Sequence, residues 1–302
     1  MALPKQKIAV RPESEPKIST LVRKLLREAD AEGILPTPLD RLFEVAKVKN
    51  IAELPDEEAF LKTLSDKMRG FFISAKQKLR GIADIRERAS YVPPDPNNIG
   101  RERFAKGHEL GHNVIPWHGV DPAYLDDNES LGPNAKGLFE HEANFFSSDT
   151  IFQGAGFRTR SRDYTPDFNA IFKLAHDHGA SRQATAWRFV EEQDEAIALL
   201  QYYSSKAVDE YGNPVLAIWR SVGSPEFLRR FPNIDPPMTL RTGHPWVAAR
   251  DVNRVCSGNE NLLCDGAHTM FEWHSWWNSR ALCVLVRRKP LLSLVGGFLR
   301  PS

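Results

Sequence analysis

The chain of 302 residues carries 40 Lys and Arg against 39 Asp and Glu, with 41% hydrophobic and 26% charged residues. A net charge this close to zero excludes whole-surface attraction to nucleic acid or acidic membranes, although a local basic patch stays open. The length suits two or three compact units of roughly 100–200 residues each, and the apolar content is ordinary for a protein with a packed core. From the start of the chain, Ile18, Leu21, Val22, Leu25 and Leu26 recur at helical spacing after Pro16, and Gly33 supplies a stop. Further helices are predicted over residues 39–48 and 56–68. The runs 70–74, 79–85 and 89–92, separated by breakers, then read as a small antiparallel sheet. Pro93, Pro94 and Pro96 make a turn into a helix over 99–115 that Pro116 ends. A loop rich in Asp, Asn, Gly and Pro follows to about residue 136, then a helix over 138–153 and two shorter ones over 167–178 and 181–192. Strands are expected at 196–203, 215–222, 269–273 and 281–287. The fold class is therefore α+β, with domains expected over 1–160, 161–209 (a helical connector) and 210–302. The apolar run 291–299 falls far short of the ~20 residues that span a bilayer, so no membrane partner is expected. Cys256, Cys264 and Cys283 cannot all pair, and the first residues have no secretory apolar core, which points to a reducing cytoplasm.

The helix over 99–115 contains His108-Glu109-Leu110-Gly111-His112. Residues four apart share a helical face, so His108 and His112 can offer two imidazoles to one ion. Glu109 sits one position round, where a carboxylate can take a proton from a water on that ion. Zinc in catalytic sites takes three protein ligands and leaves a position for water. Gly107 and Gly111 each weaken a helix by ~1 kcal/mol relative to Ala, which implies that another backbone approaches closely there. Two residues compete for the third ligand position. Glu140 begins Glu140-His141-Glu142-Ala143-Asn144, in which Glu140 and Asn144 share a face and Asn144 could orient a ligand. Glu142 is rotated by about 200° and points elsewhere. His118 has the spacing of HExxHxxGxxH, but Ile115 stands at the glycine position of that turn, followed by Pro116, and Glu140 is preferred. Otherwise His118 reads as an exposed loop histidine.

Arg103-Phe104-Ala105-Lys106-Gly107 leading into His108–His112, with Glu140-His141-Glu142-Ala143-Asn144-Phe145-Phe146 about thirty residues later, resembles the ImmA/IrrE family of metallo-endopeptidases. The resemblance covers about residues 17–195. It implies a zincin-like fold with a small sheet before the motif helix, Zn2+ held by His108, His112 and Glu140, and Glu109 as general base. It also implies a narrow protein substrate, typically a helix-turn-helix transcriptional repressor in a phage, mobile-element or stress response. Two positions depart from the family pattern: Gly107 and Ser147 both stand where alanine is usual.

Residues 174–185 have a helix-turn-helix look, with Gly179 in the turn and Ser181 as a cap, but only Arg182 and Arg188 on the second helix are basic. An ordinary helical hairpin is the preferred reading; the rival function is a DNA-binding regulatory protein whose zinc site is vestigial or structural. His176 and His178 are two apart and cannot share a helical face, so a second metal site there is not expected. Oxyanion helpers are sought among His118, Tyr124 and Tyr164. Trp246, Trp273, Trp276 and Trp277, with His268, His274 and several arginines, would serve either a core or a surface that binds an activator, nucleic acid or a small molecule.

Overall fold

The computed structural model describes residues 13–51, 81–85, 87–119, 133–209 and 211–288. The expected helix at 56–68, the strand at 70–74, Tyr124 and the run at 291–299 lie outside these residues. The chain is mixed α and β, and it divides into two compact units. Among the described residues no helix is long and apolar enough to cross a membrane.

One unit comprises Val10–Phe157 with Ala175–Ser181. It opens with α1 (Glu15–Glu28), whose first turn tolerates Pro16 because a backbone N–H at that position would have no helical partner in any case. After α2 (Leu39–Ala46) come the strands β1 (Lys49–Ile51), β2 (Ile82–Asp84) and β3 (Ala89–Tyr91). Then α3 (Ile99–Val114) carries the two histidines, a 3-10 turn follows at Pro116–His118, and α4 (Pro133–Phe152) carries the acidic motif. Ile18, Val22, Leu42 and Phe43 close over Leu110 of α3 and Phe146 of α4 to form one core. Each such burial stabilises the unit by roughly 1.5–3 kcal/mol. The sheet corrects an expectation. Its order is β1-β3-β2, with β2 antiparallel to β3 but β1 parallel to it, so it is mixed rather than antiparallel. A three-residue strand is too short to show alternation, so β1, just past the helix expected over 39–48, leaves no mark in the sequence. Asn113 ties α3 to this sheet, donating from Nδ2 to the Ala89 carbonyl and to Ser90 Oγ.

Helices α3 and α4 approach as closely as the glycines implied. A Cβ built on Gly107 would stand 2.6 Å from Ser147 Oγ, and one on Gly111 would stand 3.0 Å from a ring carbon of Phe146. Asn98 caps the start of α3 by accepting the Arg101 N–H, and the C-terminus stops before Pro116.

The other unit comprises Arg158–Leu174 with Arg182 onward. Helices α5 (Ala155–Arg162) and α6 (Phe168–His178) cross the division, and α7 (Arg182–Glu191) belongs to this second unit. Its sheet contains β4 (Ile197–Val208), β5 (Pro214–Gly223), β6 (Ile234–Asp235), β7 (Thr239–Leu240), β8 (Cys256–Cys264), β9 (Ala267–Trp277) and β10 (Ala281–Arg287). The order is β6-β8-β9-β10-β4-β5-β7, antiparallel throughout. Strand β10 lies centrally and all but its last residue is buried, as its unbroken apolar run requires. One face packs Leu200, Tyr202, Phe271 and Val284 against Trp246 and Phe227, the latter on α8 (Pro225–Arg230). Helix α7 lies against β4 and β5. Strand β4 falls in the 161–209 stretch of the sequence, yet it pairs with β10 and β5 inside this sheet. Strand β8 (CSGNENLLC) escaped the sequence reading because it is mostly polar. Gly258 within it leaves room for Trp273, whose ring a Cβ there would meet at 2.7 Å.

Candidate metal centre

Helix α3 presents His108 and His112 one turn apart, with their Nε2 atoms 3.1 Å from each other. Helix α4 brings Glu140 to the same point. Its Oε2 stands 3.5 Å from His108 Nε2 and its Oε1 3.8 Å from His112 Nε2. The three ligand atoms lie within 4.8 Å of one another, a set that could hold a metal ion. The imidazoles are largely enclosed, while the Glu140 side chain is 54% exposed, so the cluster is open to solvent on that side.

Both imidazoles are held from behind. His108 Nδ1 is 3.0 Å from Asn144 Oδ1, an oxygen that can only accept, so Nδ1 carries a proton and Nε2 is the nitrogen that faces the cluster. His112 Nδ1 is 3.1 Å from His118 Nδ1, and His118 Nε2 is 2.9 Å from Glu142 Oε2. A single proton assignment satisfies the chain: His118 donates from Nε2 to the carboxylate, His112 donates from Nδ1 to His118, and His112 Nε2 is left unprotonated. Glu142 also accepts from Trp117 Nε1 at 2.7 Å and from the Ser14 hydroxyl. Burial, helped by the neighbouring His108 and His118, holds the pKa of His112 well below the ordinary imidazole value, so this ring is neutral at physiological pH. Burial lowers that of His118 as well, against the pull of Glu142. Burial opposes ionisation of Glu142, but hydrogen bonds from Ser14, Trp117 and His118 outweigh it and hold the group below the usual carboxylate range. The pair is therefore a carboxylate accepting from a neutral imidazole.

This arrangement corrects both readings of His118. The residue is 2% exposed, not a solvated loop histidine. It faces the rear nitrogen of His112 and stands behind that ring rather than beside the Nε2 atoms. Pro116 is the reason, since it starts a tight 3-10 turn that folds the chain back under α3 within three residues. Glu142 does point away from the cluster, as its angle on α4 requires, and it is 2% exposed because His118 and Trp117 cover it.

Glu109 is 6% exposed and lies under the start of β2. A Cβ on residue 81 would come within 2.6 Å of its Oε1, so only glycine passes there. Burial raises the Glu109 pKa to about 7; the charge of His108 and the backbone N–H of Ala83 pull it down, and Glu140 pushes it up. Gly81 and Ala83 were not singled out from sequence, where a lone glycine before a short strand carries no chemical signal.

Other candidates sit elsewhere. His178 is buried between Phe152 and Phe157 with Nδ1 3.1 Å from the Ile151 carbonyl, while His176 is 91% exposed in its side chain. Tyr164 belongs to the other compact unit. Trp246 and Trp273 are core residues, whereas Trp276 and Trp277 are half-buried.

No protein-family model and no curated protein sequence matches this chain. Among solved structures, a Mycobacterium tuberculosis transcriptional regulator is similar with a TM-score of 0.49 and 11% identity, over 90% of this chain and 76% of that one.

Proposed function

We propose that this protein is a zinc-dependent metallo-endopeptidase of the ImmA/IrrE kind, with a zincin-like catalytic unit, working in the cytoplasm on a specific protein partner. The observation that carries the reading is the paired geometry of the two histidines. Each imidazole has its Nδ1 engaged from behind and its Nε2 turned to a common point with Glu140. Donor atoms on one tetrahedral zinc, bonded at ~2.0–2.1 Å, stand about 3.3 Å apart. The two Nε2 atoms stand 3.1 Å apart, close to that value, the two Glu140 oxygens come to 3.5 Å from one and 3.8 Å from the other, and the set of two imidazoles and one carboxylate suits the ion. Three protein donors with one open side fit a catalytic site better than a closed structural one.

Zinc held there would supply an acidified water and an electrophile for a peptide carbonyl. Glu109 takes the proton from the attacking water and passes it to the departing amine. Glu109 is buried beside the two histidines, against Gly81 and next to the Ala83 N–H, where a fixed carboxylate can make both transfers. Asn144 and the His118–Glu142 pair hold the imidazoles in the tautomer that ligation needs. The substrate class, a helix-turn-helix transcriptional repressor, rests on the sequence resemblance.

The test is zinc content per chain for wild type, Glu140→Ala and Glu109→Gln, followed by incubation with a partner repressor encoded nearby. Wild type and Glu109→Gln should each hold about one zinc, Glu140→Ala should lose it while staying folded, and only wild type should cleave. Zinc retained by Glu140→Ala as tightly as by wild type would overturn the ligand set. Cleavage by Glu109→Gln at the wild-type rate would overturn the mechanism.

A further inference from the structure

The second unit holds a cleft of about 380 Å³ that nothing in the proposed peptidase chemistry uses. Its walls come from α6 (Phe172), α7 (Arg182), the segment after α9 (Ala248–Val252) (Asn253 and Arg254), and the β9–β10 hairpin (Trp276, Ser279). The volume is near the lower end of the roughly 300–1,000 Å³ of pockets that take small organic ligands.

Two features describe what would bind. The first is charge. Arg182 and Arg254 both line the cleft, no carboxylate does, and neither guanidinium has a carboxylate partner among the described residues. Most other arginines of this unit are paired, for example Arg188 with Glu192, Arg162 with Asp194 and Arg287 with Glu272. Two unpaired guanidinium groups at one concavity favour an anion, and their planar forks suit a carboxylate or a phosphate. The second feature is aromatic. The Arg182 guanidinium lies 4.3 Å from the Phe172 ring centroid and 6.0 Å from that of Trp276, and the two rings meet edge to face with centroids 5.0 Å apart. Arg182 therefore caps the Phe172 face, and Phe172 stands across Trp276 rather than beside it; Trp277 also lines the cleft but packs against the sheet core, on the strand face opposite to Trp276. The aromatic face left for a ligand is that of Trp276, which suits a single planar group and not a run of stacked bases.

The site is also braced. Asn278 in the hairpin turn accepts the N–H groups of Arg280 and Ala281 and donates to Gln183 on α7, locking the turn to the helix that carries Arg182. Ser279, next in the turn, is held at φ 72°, a left-handed conformation that costs a non-glycine residue roughly 1–2 kcal/mol. Asn253 on the facing wall is likewise left-handed, at φ 49°. Both residues put polar side chains on the rim.

We propose that this cleft binds a small aromatic anion of about mononucleotide size. A planar ring packs against the face of Trp276, and a phosphate or carboxylate sits between Arg182 and Arg254. The site belongs to a different compact unit from the metal centre, so its test stands or falls separately from the peptidase reading.

The experiment is titration of the full chain with nucleoside monophosphates, indole-3-acetate, inorganic phosphate and a short single-stranded oligonucleotide, read by tryptophan fluorescence and by calorimetry. One or more of the aromatic anions should saturate binding at one site per chain, with phosphate alone weaker. A phosphate-bearing and a carboxylate-bearing ring are told apart by which of the first two probes binds. Arg182→Gln and Arg254→Gln change exposed side chains and should leave the fold intact, yet each should weaken binding about tenfold or more. Trp276→Phe keeps a platform of smaller area and should weaken it less. The proposal is overturned if no aromatic anion binds below about 1 mM. It is also overturned if binding survives both arginine changes, or if the oligonucleotide alone binds.

Discussion

Gly107 and Ser147 are the two positions at which the motif helices depart from the alanines usual in the family that the sequence resembles, and the structure places them face to face. Ser147 is fully buried, and its hydroxyl donates to the Phe104 carbonyl at 2.7 Å, filling the space that a methyl on residue 107 would occupy. Replacing Gly107 with Ala gains ~1 kcal/mol of helix propensity. The new Cβ would lie 2.6 Å from Ser147 Oγ, 3.2 Å from its Cβ and 3.3 Å from its Cα, so the hydroxyl must turn away and the helices must still give slightly. Overpacking of this kind costs roughly 1–3 kcal/mol, and the lost hydrogen bond adds ~1. The net expectation for Gly107→Ala is a loss of about 1–3 kcal/mol. Ser147→Ala alone loses only the hydrogen bond, ~1 kcal/mol. In the double variant the propensity gain offsets that loss, so stability should return to close to that of wild type, a coupling of about 2–4 kcal/mol. Urea denaturation followed by circular dichroism reads this as a midpoint shift of about 1 M for Gly107→Ala, at a slope of ~2 kcal/mol/M. If Gly107→Ala is more stable than wild type, or if the two single effects simply add, then the close helix approach is not what demands the glycine.

The remaining predictions concern the groups behind the cluster and the thiols. His118→Phe, which keeps the buried volume but severs the link from Glu142 to His112, should weaken zinc binding about 10–100-fold in chelator competition, with secondary structure unchanged. Unchanged affinity would reduce His118 to a packing residue. Asn144→Ala should act in the same direction on His108, and the two changes together should be more severe than either alone. Cys283 is buried, and burial lifts its thiol to about 12. At pH 8 its thiolate fraction is therefore about one in ten thousand, and it rises tenfold for each added pH unit. Maleimide labelling of the native protein, located by peptide mass, should find Cys256 modified first because only this thiol is partly exposed. Cys283 labelling at a similar rate would contradict the central placement of β10.

The chemistry-bearing helices could be read from the sequence because their signals are local. The four-residue spacing of His108 and His112 sets a shared face wherever the helix packs, and Pro116 sets where it ends. The unbroken apolar run of β10 needs no partner to announce a buried strand. Polar β8 and the three-residue β1 are strands only because neighbours pair with them. Among the candidate site residues, the sequence offered Glu140 and His118 as competing ligands, and their roles depend on direction. The close α3–α4 contact carries Glu140 to the Nε2 atoms, while the tight turn after Pro116 takes His118 to the opposite side of His112, onto Glu142. Spacing along a chain bounds how far a side chain can reach. Which side of a ring it approaches is decided by the packing of helices far apart in sequence, and that is a property of the folded core alone.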